Sequence, residues 1–329
     1  TSYTFALIGY TVEHDLTGHE NDSFYKTEME HREMYARRKE RQYYYASHLD
    51  ELEKEAHDMF DEDYPGMNYK FYFYEDERKM LRVIQRIKAS CPAIVKATFL
   101  GAHAIGRQYT HEEYVQTVCD MIPSIAQERL ADFVDVFCDT GVFTVEDTDR
   151  ILTIGRRYGL IPKIHANELE VSGGVQIGVQ HQALSVDHLE KTTDAEMEAL
   201  RGTVTMPTML PGSSFFLGLP FGRAKEFIAA GLGVALASDY NPGSSPSGDM
   251  RFVMAMGCIR MRLTPIQALN AVTLNSAYAM GISNEVGSIT CGKRANLIIA
   301  RPFHSLNMIP YHYQTPWITH VILNGEIVQ

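Results

Sequence analysis

The chain has 329 residues, of which 45% are apolar and 22% are charged, and its formal net charge at pH 7 is −11. These proportions are typical of a folded protein and exclude a disordered, collagen-like or coiled-coil chain. No uninterrupted apolar run approaches roughly 18 residues, so a membrane span is not predicted. The acidic balance, with no basic cluster, argues against nucleic acid or an anionic membrane as a partner.

The first 79 residues differ in composition from the rest of the chain. They hold 19 of the 41 acidic residues, 10 of the 30 basic residues and 11 of the 18 tyrosines, but only 3 of the 24 glycines. The charges and helix-forming residues of Asp22–His57 predict a solvated helical segment. Tyr3–Val12 and Tyr69–Tyr74 are the two candidate strands in this part of the chain.

From residue 80 onward, short apolar runs alternate with amphipathic stretches, a pattern typical of βαβ units and a parallel sheet. The predicted strands are Ala93–His103, Phe133–Asp139, Ile161–Glu168, Leu184–Glu190, Thr203–Leu210 and Val234–Tyr240. The amphipathic stretches between them include Glu112–Leu130, Val145–Tyr158 and Arg223–Ala230. We therefore favour an α/β fold with a (β/α)8 TIM-like barrel, and an open doubly wound sheet is the alternative.

The end of the chain changes character once more. Strand-like runs at Gly287–Ile289 and Gly292–Ile299 precede Trp317–Leu323, and Asn324-Gly325 is the predicted hairpin turn before Glu326–Val328. The pattern predicts a small, incomplete C-terminal β unit, which is too small to form a core of its own.

Cysteine usage indicates the redox compartment. The chain has five widely spaced cysteines and no Cys-x-x-Cys pair. This usage fits reduced thiols in the cytoplasm better than a disulfide framework or a zinc knuckle.

Polar residues stand at the ends of four predicted strands. These strand ends are Gly101-Ala102-His103, His165-Ala166-Asn167-Glu168, Asp187-His188 and Ser238-Asp239. Because parallel α/β folds place their chemistry at the C-terminal ends of the strands, we expect these side chains to converge at one edge of the sheet.

His165, His188 and Asp239 are the residue types that a metal hydrolase uses. Imidazole and carboxylate suit zinc or ferrous iron, and a catalytic site leaves one position open for water. The metal lowers the pKa of that water to about 7, and a carboxylate can take its proton and pass it to a leaving nitrogen. Glu168, three residues beyond His165, stands at the end of its predicted strand, where it could reach a substrate ring nitrogen. A single histidine on a strand would more often be structural.

Three further features have two interpretations each. His103 either binds a substrate carboxylate or ring, or is a hydrogen-bonded structural histidine. The loop Asp239–Gly248, before a helix that begins near Asp249, either presents N–H groups to a carboxylate or phosphate or is an ordinary turn. The predicted loop Pro211–Gly218 has aromatic residues that either cover a planar ligand or pack against a neighbouring loop.

Residues 79–329 resemble the imidazolonepropionases of the amidohydrolase superfamily. The matching segments follow one another in order: Lys79–Val83, Thr98–His103, Val134–Cys138, Lys163–Glu168, Ser185–Glu190, Met209–Gly212, Ala237–Ser244 and Arg262–Pro265. The resemblance implies a distorted (β/α)8 barrel with a small β domain and one divalent metal ion, zinc or iron. It also implies hydrolysis of 4-imidazolone-5-propanoate to N-formimidoyl-L-glutamate in histidine degradation.

The resemblance further implies roles for individual residues. His165, on the fifth barrel strand, would be a metal ligand, and Asp239, on the eighth, would be a ligand and proton shuttle. His188, on the sixth, would polarise the carbonyl and stabilise the oxyanion, and Glu168 would hold or protonate the imidazolone ring. The substrate-binding residues would be His103, Asn241, Gly243 and Ser244.

Residues 1–78 depart from the family pattern. The family's His-x-His metal pair occurs nowhere in the chain, and His14, which stands nearest to its place, is the further candidate ligand. Tyr69–Tyr74 stands where the family has its second-strand motif. We expect a hydrolase barrel over residues 1–283, atypical over residues 1–78, and a remnant of the small β-sandwich domain over residues 284–329.

Three functions follow from these features. The leading hypothesis is metal-dependent hydrolysis of the cyclic amide C–N bond of the imidazolone. Another cyclic amide or amidine hydrolase or a deaminase is the runner-up within the enzyme class. A catalytically silent barrel that binds a small carboxylate ligand or a protein partner is the alternative from a different class. The family resemblance also suggests a homodimer.

Overall fold

The structure is a computed structural model, and it describes residues 69–106 and 109–328. His14, Tyr3–Val12 and Asp22–His57 lie outside the described residues, so the predictions made for them stay predictions. Within the described ranges, no helix is both long enough and apolar enough to cross a membrane.

Six parallel strands form the central sheet in sequential order. They are β1 (Thr98–Ala102), β2 (Phe133–Cys138), β3 (Ile161–Ala166), β4 (Ser185–His188), β5 (Met206–Met209) and β6 (Ala235–Leu236). The parallel α/β arrangement that the sequence predicts is thus confirmed. No pairing between β1 and β6 occurs within the described part of the chain. Each observed strand is shorter than its prediction. β1 and β5 begin later than predicted, and at β2, β3 and β6 the polar residues of the predicted C-terminal end lie beyond the strand.

Helices follow most of these strands and alternate with them along the chain. They are α1 (Tyr69–Ser90), α2 (His111–Gln127), α3 (Val145–Arg157), α4 (Gly174–Gln180), α5 (Asp194–Leu200), α6 (Pro211–Leu217), α7 (Ala224–Ala229), α8 (Met250–Ile259), α9 (Pro265–Asn270), a π-helical turn (Ala271–Asn275), α10 (Ser276–Ala279) and α11 (Met308–Tyr311). Threonine capping boxes set the start of four of them, with the caps at Thr110, Thr144, Thr193 and Thr264.

Two predicted elements have a different structure. Tyr69–Tyr74 is not a strand, because it forms the first turns of the 22-residue helix α1. No glycine or proline separates these aromatic residues from the helix-forming residues that follow, so the helix continues through them. Pro211–Gly218 is not a loop: Pro211 begins α6, and Gly218 ends it with a left-handed φ of 71°.

Close contact between helices and sheet determines which side of each strand faces the site. A Cβ on Gly155 of α3 would lie 2.5 Å from Val134 Cγ1 of β2, and one on Gly174 of α4 would lie 2.5 Å from the Ala166 Cβ of β3. Val134 and Ala166 therefore face the helices. Side chains alternate along a strand, so the neighbouring residues Asp135 and His165 face the opposite side.

A small antiparallel sheet contains the C-terminal strands β7 (Leu297–Ala300), β8 (Ile318–Leu323) and β9 (Glu326–Ile327). The predicted hairpin turn is confirmed, because Asn324 and Gly325 join β8 to β9 with positive φ angles of 53° and 89°. Gly287–Ile289 is not a strand. The division of the chain into a barrel over residues 1–283 and a β remnant over residues 284–329 stays a prediction.

Asp132 connects the elements around the start of β2. Its carboxylate accepts the Ala97 N–H at 2.8 Å, lies 3.4 Å from Lys96 Nζ and pairs with Lys88. Partial burial raises the pKa of Asp132, but the Ala97 hydrogen bond and the two lysine charges outweigh burial and hold this pKa below its usual value.

We expect Asp132→Asn to lower the free energy of unfolding by about 1–2 kcal/mol at neutral pH, because charge-assisted hydrogen bonds weaken. The folded-state pKa lies below the unfolded value of 3.8, so the contribution is present above pH 3.8 and is lost as the pH falls through the folded pKa. Urea denaturation of both proteins from neutral pH down to about pH 3 measures it. A difference in stability that does not shrink toward acid pH contradicts this account.

Candidate active site

The predicted site residues of β1, β3, β4 and β6 gather at the C-terminal edge of the parallel sheet. His103 directly follows β1, His165 lies near the end of β3 and His188 ends β4. Asp239 follows β6 by three residues. The His165 ring centre lies 4.6 Å from that of His103 and 5.1 Å from that of His188. The predicted convergence of histidines at one edge is therefore present.

A buried carboxylate connects two of these histidines. Asp135 Oδ1 lies 2.8 Å from His165 Nδ1 and 3.2 Å from His103 Nε2. The three residues form a group whose potential ligand atoms all lie within 4.8 Å of one another. This group could hold a metal ion, since two imidazoles and a carboxylate suit zinc or iron.

The surroundings of Asp135 also fit a cation. The residue is completely buried, and its Oδ2 atom has no hydrogen-bond partner among the residues that the structure describes. Burial raises the pKa of Asp135, and the nearby Asp187 carboxylate acts in the same direction. Lys163, also buried, lies in register with Asp135 on the next strand, but its Nζ atom pairs with Asp187 Oδ2 at 3.6 Å. A buried carboxylate oxygen without a donor is suited to bind a positive ion.

His165 has the chemical state of a metal ligand. Burial, together with the charge of His188, lowers the pKa of His165 to about 3, so its imidazole is neutral at pH 7. The 2.8 Å contact between Nδ1 and Asp135 Oδ1 favours the tautomer in which Nδ1–H donates a hydrogen bond to the carboxylate. The tautomer then has its lone pair on Nε2, as in metal-bound histidines whose other nitrogen donates to a carboxylate.

His188 lies between two glutamates. Its Nε2 is 3.5 Å from Glu168 Oε2, and its Nδ1 is 3.5 Å from Glu190 Oε2. Burial disfavours the charged imidazole, but Glu190, Glu168 and the charge of Asp239 outweigh it and raise the pKa of His188 to about 10. The side chain is therefore a proton-bearing donor at neutral pH.

Asp239 is buried and belongs to a compact turn. Burial raises its pKa, against the lowering effect of the His188 charge. Asn241 Nδ2 donates to Asp239 Oδ1 at 3.2 Å and Ser244 Oγ to Asp239 Oδ2 at 3.4 Å. The backbone N–H groups of Gly243 and Ser244 donate to Asn241 Oδ1 at 2.8 and 2.7 Å. The turn thus orients the Asp239 carboxylate through the amide of Asn241.

Four of the eight non-glycine residues with a positive φ in the described ranges lie at these strand ends. The φ angles are positive at Asn167 (57°), His188 (84°), Leu189 (69°) and Asp239 (50°). Residues with a Cβ rarely adopt this region, and such strain persists where the surrounding structure imposes it, often at functional sites.

The loop that carries Glu168 is anchored on the neighbouring strand end. Asp139, which follows β2, accepts the N–H groups of Glu168 and Leu169 through Oδ2 at 2.9 and 3.0 Å and that of Glu170 through Oδ1 at 3.1 Å. The loop therefore has a defined position relative to His188.

Two features of the neighbouring loops bear on the expectations for them. Asp249 caps the N-terminus of α8, and its Oδ1 accepts the Arg251 N–H at 2.9 Å, so this N–H group already has an acceptor. Binding of a carboxylate or phosphate by the loop Asp239–Gly248 stays a prediction. Phe215 and Phe216 are exposed as expected, although on α6 rather than on a loop, and the Phe215 ring lies 5.2 Å from that of Phe252.

Sequence reasoning assigned no role to Asp135, Asp139 or Glu190. Asp135 lies within the matched segment Val134–Cys138, and a charged residue in the middle of an apolar strand was the available signal. Glu190 lies two residues after His188, and its Oε1 accepts from Ser214 Oγ at 2.8 Å. The contacts of all three residues cross between strands or loops.

Comparison with known proteins identifies the family of the chain. The model of the Amidohydrolase family matches residues 127–328. The chain is 51% identical to the imidazolonepropionase of Flavobacterium johnsoniae over 257 residues, which are 77% of this chain and 62% of the relative. It is 38% identical to that of Bacillus cytotoxicus over 256 residues, which are 77% of this chain and 60% of the relative. The chain therefore spans about three fifths of the length of these relatives.

Solved structures share the fold at low sequence identity. A 5-methylcytosine deaminase from Klebsiella pneumoniae with 5-fluorocytosine aligns with a TM-score of 0.62 and 16% identity, covering 78% of this chain and 68% of its own. An adenosine deaminase from Xanthomonas campestris with bound zinc aligns with a TM-score of 0.57 and 17% identity, covering 75% of this chain and 63% of its own. The chain has a parallel α/β fold and resembles imidazolonepropionases, and the family model matches its residues 127–328. The chain therefore belongs to the amidohydrolase family.

Proposed function

We propose that the chain carries the active site of a metal-dependent hydrolase that opens the ring of 4-imidazolone-5-propanoate. Water adds to the ring carbonyl carbon, the cyclic amide C–N bond breaks, and the leaving nitrogen takes a proton, which gives N-formimidoyl-L-glutamate. The observation that carries the proposal is the buried cluster of His165, His188, Glu168 and Asp239 at one sheet edge. The 51% identity to a named imidazolonepropionase over 257 residues supports the choice of substrate.

We assign the metal, zinc or iron, to His165 Nε2 and Asp239 rather than to the group of His103, Asp135 and His165, because the hydrogen bond to Asp135 occupies His165 Nδ1. His14 stays the predicted further ligand, and it lies outside the described residues. Asp135 orients His165 by accepting from its Nδ1. When bound, such a metal activates a water molecule at neutral pH and polarises a carbonyl oxygen.

The protein's own groups account for the proton movements. The Asp239 carboxylate takes a proton from the attacking water and delivers it to the leaving nitrogen. The protonated His188 donates to the carbonyl oxygen as negative charge develops there. Glu168, 3.5 Å from His188, holds or protonates the imidazolone ring. His103, Asn241, Gly243 and Ser244 are the proposed contacts to the rest of the substrate.

A catalytically silent barrel that binds a small carboxylate is the second candidate. The observation that favours it is the lack of a His-x-His pair anywhere in the sequence. A thermal-stability assay with added zinc separates the two candidates, because zinc raises the melting temperature of an active hydrolase. A silent barrel is stabilised by an imidazole-propionate analogue and not by zinc. A hydrolase or deaminase for another cyclic amide or amidine would bind zinc and leave the imidazolone intact.

We further propose that the protein works in the cytoplasm and forms a homodimer. All five cysteines are free, which supports a reducing compartment. The homodimer rests on the resemblance to imidazolonepropionases alone.

We expect His188→Asn to lower kcat for imidazolonepropionate hydrolysis by at least about 100-fold, because the donor to the carbonyl oxygen is lost. The matched control is His181→Asn. His181 is also buried and also pairs with a carboxylate, at 2.8 Å from Asp149, but it follows helix α4 outside the cluster. Steady-state assays with zinc or ferrous iron supplied measure both variants. Equal losses in the two variants contradict the role of His188.

We expect Asp135→Asn to weaken zinc affinity by about 10–100-fold, because His165 loses the carboxylate that orients it. Competition with a chromogenic chelator measures the affinity. Asp149→Asn is the control, since it removes the carboxylate of another His–Asp pair, in which His181 is buried and Asp149 is half-exposed and the N···O distance is also 2.8 Å. Unchanged zinc affinity in the folded Asp135→Asn protein refutes the assignment of Asp135.

A further inference from the structure

We propose that Asp139 is a positioning residue. Its carboxylate anchors the backbone of residues 168–170, and this anchor holds the Glu168 side chain beside His188. The inference rests on the proposed function for its effect on turnover, but the anchoring itself is a structural claim. Asp139 touches no reacting group in this assignment, and it acts through residues 168–170.

The carboxylate of Asp139 accepts four hydrogen bonds from the backbone. The side chain is buried and receives four backbone N–H groups. Three come from successive residues 168–170, at 2.9, 3.0 and 3.1 Å, and the fourth comes from Thr140 at 2.7 Å. Successive N–H groups that converge on one anion form a nest, in which the negative charge is the complementary partner.

The loop depends on this carboxylate because it has left the sheet. β3 ends at Ala166, and Asn167 turns the chain with a φ of 57°. The N–H groups of residues 168–170 then lie beyond the strand, and Asp139 supplies their acceptor from the end of β2. Without the carboxylate, up to three N–H groups would lose their hydrogen bonds, and the cost is largest for the N–H of Glu168, whose hydrogen bond is buried.

The anchored loop carries Glu168, which belongs to the reacting part of the site. Glu168 is the first residue of the nest, so its backbone position follows that of Asp139. Its Oε2 lies 3.5 Å from His188 Nε2, a distance that any shift of the loop changes. Ser172 closes the other end of the loop, since its Oγ donates to Cys138 O at 2.7 Å. Both ends of the loop are thus tied to the end of β2.

The chain offers a matched control at the opposite end of the same strand. Asp132 precedes β2 as Asp139 follows it, and its carboxylate also accepts a backbone N–H, from Ala97 at 2.8 Å. Asp132 lies at the N-terminal end of the strand, where barrel folds place residues for stability rather than chemistry. Asn at either position keeps the size of the side chain and removes its charge.

The test combines kinetics with amide hydrogen exchange. We expect Asp139→Asn to lower kcat by at least about tenfold while KM changes less than about threefold, because the misplaced group acts in the chemical step. Asp132→Asn should leave kcat unchanged. In a Glu168→Gln background, Asp139→Asn should lower kcat by less than about twofold further, because both changes remove the same contribution. Amide hydrogen exchange at residues 168–170 should be faster in Asp139→Asn than in the wild type, and it should be unchanged in Asp132→Asn.

Several results would overturn the proposal. One is an Asp139→Asn enzyme with wild-type kcat, and another is full additivity with Glu168→Gln. A third needs no variant: in the wild-type protein, the amides of residues 168–170 should be protected although they lie outside strands and helices, and rapid exchange there refutes the anchor even if the variant fails to fold. A wild-type protein that does not hydrolyse the imidazolone refutes the proposed function, while the exchange data still decide on the anchor.

Discussion

The arrangement of the site depends on one buried carboxylate between two imidazoles. Asp135 lies on β2 and contacts His165 on β3 at 2.8 Å and His103 after β1 at 3.2 Å. Parallel pairing places Phe137 beside His165, so Asp135 reaches the histidine from two residues earlier in the neighbouring strand. This contact orients the His165 ring and favours the tautomer with its lone pair on Nε2, and a neutral imidazole with a defined lone pair is what a divalent metal requires.

The two ends of strand β2 have different roles: one contributes to stability and the other to the catalytic site. At its start, Asp132 joins Ala97, Lys88 and Lys96 and contributes to stability. At its end, Asp139 anchors the loop that carries Glu168. The same residue type and the same kind of hydrogen bond thus have different consequences, because only the C-terminal end of a parallel strand faces the catalytic edge.

Much of the fold was predictable from the sequence, and the site only in part. Apolar runs that end in polar residues identified β3, β4 and β6, and with them His165, His188 and Asp239. The role of Asp135 depends on a cross-strand contact, and that of Asp139 depends on the path of a loop anchored about 30 residues away; neither leaves a periodic signal. The misassigned Tyr69–Tyr74 shows the limit of propensity, since aromatic residues favour strands but yield to a helix that continues through them.

The central claim is that the strand-end cluster is a metal-dependent active site. The most direct measurement is anomalous X-ray diffraction from crystals grown with zinc, recorded on both sides of the zinc absorption edge. The account predicts one strong peak within about 2.0–2.2 Å of a His165 nitrogen and an Asp239 oxygen. A well-ordered cluster with no peak, or a peak bound elsewhere on the protein, would contradict it.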